Sequence, residues 1–359
     1  MTIERRRRVN FGSCSYLGLE TDLRLKNAAC DAVTRYGVQF SSSRAYVSCP
    51  LYRDLERLLG ALFEAPLVVA PTATLAHQAA LPVLVRPGDA VVCDQLVHHS
   101  VQGVLPILKV QGTDCRIIRH NRMDRLEQLV VDLGRKHERV WYLADGIYSM
   151  HGDTAPVAVL HALVSRHRQL HLYVDDSHGL GWRGTHGRGQ MLGTGPIPPR
   201  TVVALGFAKA FAAGGAAVVF SDDRWSRQVR LCGGPMIFSG PLQPALLGAA
   251  IASARVFLSK EIYQRQKRLL ERVRLFNTLA KARHIPLAST GETPIRFITI
   301  GTNEATYGLG AALMDDGYLT NVAVFPAVSK GQGGLRVTLT LHQTHDDIRG
   351  LIDAVARRL

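Results

Sequence analysis

Seven short runs rich in β-branched residues constrain this chain more than any other feature. They are LVVA (67–70), AVVCD (90–94), CRIIRH (115–120), VWYLAD (140–145), LHLYVDD (170–176), TVVAL (201–205) and GAAVVFS (215–221). The intervals hold stretches with apolar residues at helical spacing, such as MDRLEQLVVDLGRK and VAVLHALVSRHRQ. Alternating strand and helix predicts an α/β domain around a mainly parallel, seven-stranded sheet. The runs are continuously apolar, as strands covered on both faces are.

The texture changes after Pro244. One or two long basic helices follow, then the strands IRFITIG and GLRVTLTL. A last helix, HDDIRGLIDAVARRL, starts near Thr344 or His345. This predicts a smaller C-terminal α+β domain over 245–359, beside a large domain over 38–244. Residues 1–37 read as an arm and a first helix closed by Gly37. A length of 359 residues suits two cores better than one.

Charge and cysteine usage bound the partners. Lys plus Arg is 43 and Asp plus Glu is 29, a net +14 that draws anionic partners. The six cysteines make no CxxC pair and read as reduced, buried thiols of a cytoplasmic protein. The N-terminal MTIERRRRVNFG lacks an apolar core for a secretory signal, and Arg5–Arg8 is expected to be a solvated arm. No apolar run reaches membrane-spanning length.

In parallel sheets the ligand sits at the C-terminal ends of the strands. Asp94, Asp145 and Asp175 each end a run, and Lys209 follows another in ALGFAKAFAAGG. A lysine there either snorkels to water or is a desolvated amine able to form a Schiff base. Pyridoxal 5'-phosphate needs such an amine, a carboxylate at its ring nitrogen, a flat group on the ring and donors for the phosphate. Asp175 can supply the carboxylate, His178 can reach the phenolic oxygen, His98 can stack, and Thr72 and Thr74 can receive the phosphate at a helix start. Asp145 and Asp153 are expected to hold the YSMHGD turn, with His99 and His342 in support.

The ordered motifs YLGL, DQLVHHS, DGIYSMHGD, VDDSHGLGWRGTHGRG, AKAF followed by GG, IFSGPLQP and LRVTLTLHQTHDDI span about residues 10–350. In them the chain resembles the α-oxoamine synthase family of fold-type I pyridoxal phosphate transferases, with ADGIYSM and AKAFA also similar to its autoinducer-synthase branch. The resemblance implies Lys209 as the Schiff-base lysine, Asp175 at the ring nitrogen, His98 on the ring face, and His178 and Ser149 at the phenolic oxygen. It implies Thr72, Ala73 and Thr74 as the phosphate cup and Arg336 as the clamp on the substrate carboxylate. Ser239 would reach the phosphate of a neighbouring subunit in a homodimer with its active site at the interface. The implied reaction is decarboxylative condensation of an amino acid with an acyl thioester, on coenzyme A or an acidic acyl carrier protein.

Several positions depart from the family pattern. Gly206 and Ala208 replace phosphate-binding hydroxyls, FSSSR replaces a glycine-rich stretch before Arg44, and Cys14 and Val97 replace asparagines. These sites shape the substrate pockets, so γ-elimination and addition on S-adenosylmethionine, or transamination, stand as alternatives. GLGWRG (179–184) satisfies GxGxxG but does not directly follow a first strand, which excludes a dinucleotide fingerprint. Scattered arginines and 7% aromatics argue against nucleic-acid binding, and no metal-ligand spacing occurs.

Overall fold

The computed structural model describes residues 2–3 and 6–359. It divides into a larger unit, residues 19–148 and 154–262, and a smaller one, residues 1–18, 149–153 and 263–359.

In the larger unit every expected strand forms. They are β1 (Leu67–Ala70), β2 (Ala90–Asp94), β3 (Asp114–Ile118), β4 (Val140–Asp145), β5 (Leu170–Asp175), β6 (Thr201–Gly206) and β7 (Ala216–Phe220). The sheet order is β1-β7-β6-β5-β4-β2-β3. Only β7 is antiparallel to its neighbours. Alternate residues Val91 and Cys93, Trp141 and Leu143, Val202 and Ala204, and Val218 and Phe220 enter one core with Ala76, Ala80 and Leu84 of helix α3 (Ala73–Leu84). The intervening Val92, Tyr142, Leu172, Val203 and Val219 are equally buried, so both faces are covered.

Helix α1 (Leu23–Tyr36) starts at Asp22, whose side chain accepts from the Arg24 amide, and ends at Gly37 with φ 78°. The compact units divide at 18/19 and 262/263, where the sequence suggested domain borders at 37/38 and 244/245. The reason is packing: α6 (Pro244–Leu258) lies against α1 and against α2 (Leu51–Phe63). Gly248 allows the close approach, since a Cβ there would fall 2.2 Å from the Ala28 carbonyl oxygen. The second border falls inside α7 (Glu261–Ala282).

The smaller unit contains an antiparallel sheet of β8 (Ile295–Gly301), β9 (Asn321–Ala323) and β10 (Gly333–Thr338), in the order β8-β10-β9. Helices α8 (Asn303–Asp315) and α9 (His345–Ala356) accompany it. Thr344 caps α9 through a complete capping box with Asp347. The N-terminal segment belongs here because Val9–Asn10 pairs in parallel with Tyr318–Leu319, and Thr338 N–H donates to the Phe11 carbonyl at 2.7 Å. That pairing also corrects the expected arm: Arg7 is exposed but Arg8 is buried, while Arg5 lies outside the described residues. The thiols are all free, yet only Cys49 and Cys93 are buried, and Cys30 and Cys232 are exposed.

Candidate active site

Strands β4 and β5 end together, with Asp145 directly opposite Asp175. Parallel neighbours in register point to the same side, so two carboxyls are buried next to each other. Such a pair does not ionise twice at ordinary cost. Burial opposes ionisation of Asp175, but its Oδ2 is 3.0 Å from His77 Nε2 and its Oδ1 accepts from Ser177 N–H at 3.0 Å. With the charge of Lys209 added, the carboxyl is held well below the usual range. Burial and the charge of Asp175 push Asp145 well above it, against the His98 amide that Asp145 accepts at 3.1 Å. The environment thus pushes the two carboxyl pKa values apart, Asp175 down and Asp145 up.

Lys209 occupies the turn between β6 and β7. Phe207 N–H donates to the Gly215 carbonyl, Ala213 N–H to Phe207 and Ala212 N–H to Lys209, so the turn is bonded on itself. The Lys209 side chain is half-buried, and its charge acts on Asp175, Asp145 and His98 together. His98 caps a short helix, His99–Gln102, and its Nδ1 lies 2.6 Å from Ser100 Oγ. Desolvation pulls the His98 pKa down; Asp175 opposes and Lys209 assists.

Helix α3 begins at Ala73, capped by Thr72, whose Oγ1 accepts from Leu75 N–H at 3.1 Å. The capping hydroxyl keeps its own proton to donate, and Thr72 and Thr74 are exposed at the positive end of the helix. Ser177 Oγ accepts from Gly206 N–H at 2.7 Å, tying the end of β6 to the residues after β5. His178 is buried, with its carbonyl accepting from Trp182 Nε1 at 2.6 Å. Ser239 is half-buried and donates to the Pro235 carbonyl at 2.5 Å.

Ser149 and Arg336 belong to the smaller unit, where Arg336 Nε donates to the Ser149 carbonyl at 2.6 Å. Arg336 Nη2 also lies 3.5 Å from Cys14 Sγ, so Cys14 touches the expected carboxylate clamp.

Sequence reasoning missed His77 and Ser177, the two groups that hold Asp175. His77 stands four residues after Ala73, on the face of α3 that meets the sheet, where sequence alone reads a histidine as core. Two expected roles change. Asp145 holds the His98 backbone rather than the YSMHGD turn. Asp94, grouped with the strand-end site, is spent on scaffold: it lies 3.1 Å from His120 Nδ1 and accepts from Asn121 N–H, Leu96 N–H and Tyr142 O–H. GLGWRG leads into a single 3-10 turn, Thr185–Gly187, and opens no dinucleotide-binding helix.

The donor set fits a phosphorylated pyridine aldehyde: helix-start amides and hydroxyls for a phosphate, an ionised Asp175 for a ring nitrogen, and an amine for the aldehyde. Fold and site together define a fold-type I pyridoxal phosphate enzyme. The chain belongs to the aminotransferase class I and II family, whose profile matches residues 6–355. It is 32% identical over 361 residues to an 8-amino-7-oxononanoate synthase of Xylella fastidiosa (strain M12), covering 97% of this chain and 86% of that one. A second such synthase, from Alkaliphilus metalliredigens, is 28% identical over 344 residues, covering 95% of this chain and 85% of the relative. Among solved structures, a Sphingomonas wittichii serine palmitoyltransferase superposes with a TM-score of 0.92 at 22% identity, over 99% of this chain and 88% of that one. An 8-amino-7-oxononanoate synthase from Francisella tularensis does so at 0.82 and 20%, over 98% and 97%.

Proposed function

We propose that this protein condenses an amino acid with an acyl thioester, releasing carbon dioxide and a thiol and leaving an α-aminoketone. The observation that carries the reading is a buried Asp175 at the strand ends, held by His77 and Ser177 and acted on by the charge of Lys209. The family relatives named 8-amino-7-oxononanoate synthase support it.

When bound, pyridoxal phosphate supplies an electron-withdrawing ring next to the substrate Cα. The chain does the rest. Thr72, the amides of Ala73 and Thr74, and the Thr74 hydroxyl hold the phosphate. Asp175 accepts the ring N–H, His98 covers one face, and His178 and Ser149 serve the phenolic oxygen. The Lys209 amine anchors the cofactor and moves the proton at Cα. Arg336 takes the substrate carboxylate, with its fork oriented by Ser149.

Ser239 reaches the phosphate of a second copy in a homodimer. In support, Tyr46 and Phe238 are each 87% exposed, and Ser43 Oγ donates to the Ile237 carbonyl at 2.7 Å, which brings their two segments side by side. The net +14 suits an acidic acyl carrier protein as donor. Six free thiols accord with a cytoplasmic site of action.

The test is incubation of the holoprotein with a panel of amino acids and either acyl-coenzyme A or acyl carrier protein. Thiol and carbon dioxide released in equal amounts are the expected result. Methylthioadenosine released from S-adenosylmethionine without carbon dioxide would replace this reading with the elimination chemistry. Carrier delivery predicts a salt-sensitive preference for the carrier-bound donor; equal, salt-insensitive rates with coenzyme A contradict it.

A further inference from the structure

We infer that His77 is the positioning residue for Asp175, and that Tyr173, His77 and Asp175 form a buried relay that holds this carboxylate as a pure acceptor beneath the cofactor's ring nitrogen. The inference rests on the pyridoxal phosphate reading above and extends it to residues that contact no substrate.

The geometry is closed on all sides. Tyr173 and Asp175 are two residues apart on β5 and so face the same side of the sheet, toward α3. The His77 ring bridges them, with Nδ1 2.8 Å from the Tyr173 hydroxyl and Nε2 3.0 Å from Asp175 Oδ2. His77 and Tyr173 are wholly inaccessible, and Asp175 is 6% exposed.

Proton accounting then leaves one arrangement at the carboxylate. An ionised carboxylate only accepts, so Nε2 must carry a proton. Nδ1 can either accept from Tyr173 or donate to it, because a phenol does both. With Ser177 N–H on the other oxygen, each oxygen of Asp175 has a fixed partner.

His77 also sits on the helix whose first turn is proposed to hold the phosphate. It stands five positions after the Thr72 cap, about 7.5 Å along the axis at the helical rise. One rigid element would then govern both ends of the cofactor.

The experiment compares His77→Gln, His77→Asn and His77→Leu for binding of pyridoxal phosphate to the apoprotein by fluorescence titration. A glutamine amide nitrogen reaches the Nε2 position and keeps the donor to Asp175; asparagine reaches only the Nδ1 position and loses it. Expected are a dissociation constant within about threefold of wild type for glutamine, and weakening of about tenfold to a hundredfold for asparagine and leucine, the range for hydrogen bonds to a charged group. Equal affinity in all four proteins overturns the inference while leaving the cofactor reading intact. Failure of the wild type to bind overturns both. Should the variants not fold, nitrogen NMR of histidine-labelled wild-type apoprotein decides: His77 Nε2 must be protonated, and an unprotonated Nε2 refutes the relay.

Discussion

Asp175 and Asp176 are consecutive and both buried, yet they carry opposite electrostatic states. Asp175 is surrounded by donors; Asp176 is packed by backbone, since a Cβ on Gly146 or Gly179 would fall 2.3 or 2.1 Å from its Oδ1. Its Oδ2 accepts from Met191 N–H at 2.9 Å, and Oδ1 has no partner. Burial pushes its pKa up to about 7. The native state then holds a proton that the unfolded chain releases near pH 4, so Asp176 contributes stability that declines as pH rises from about 4 to about 7 and is flat beyond. Asp176→Asn, neutral throughout, should lose that slope. Urea midpoints at pH 4, 6 and 8 check it: the variant gains on wild type with rising pH, and a constant difference would refute the raised pKa.

At the scale of elements, Thr344 donors and acceptors close both ends of the α9 start, with Asp347 N–H on Thr344 Oγ1 at 3.1 Å and Thr344 N–H on Asp347 Oδ2 at 2.8 Å. Thr344→Ala should cost about 1 kcal/mol, the usual worth of such a cap, with Thr344→Ser near neutral. Chemical denaturation measures both, and an alanine variant as stable as wild type would show the cap to be idle.

These elements were legible because their signals are local. Asp22 and Gly37 bracket α1, and the strands of the large sheet are continuous apolar runs that both-face burial demands, except the edge strand β3, where Arg116 and Ile117 are exposed. What was not legible depends on long-range contact. The place of α6 in the larger unit follows from Gly248 meeting Ala28, some two hundred residues earlier, and nothing local marks it. Within the site, Lys209, Asp175 and His98 announced themselves by strand-end position. His77 did not, because a histidine on an apolar helix face reads as core until the carboxylate 98 residues away is brought against it.

For the whole molecule, Tyr46, Leu231 and Phe238 are exposed apolar side chains that the proposed homodimer would cover. Phe238→Asp should shift the protein toward monomer in light scattering. Because Ser239 is proposed to serve the partner's phosphate, pyridoxal phosphate affinity should fall with it. A variant that stays dimeric, or a wild type that is monomeric, contradicts that interface.

The central claim is that Lys209 carries the cofactor. Borohydride reduction of the holoprotein followed by peptide mass mapping tests it directly. The account predicts a single pyridoxyl phosphate adduct on Lys209, absent from Lys209→Ala; an unlabelled Lys209, or an adduct on another lysine, would contradict it.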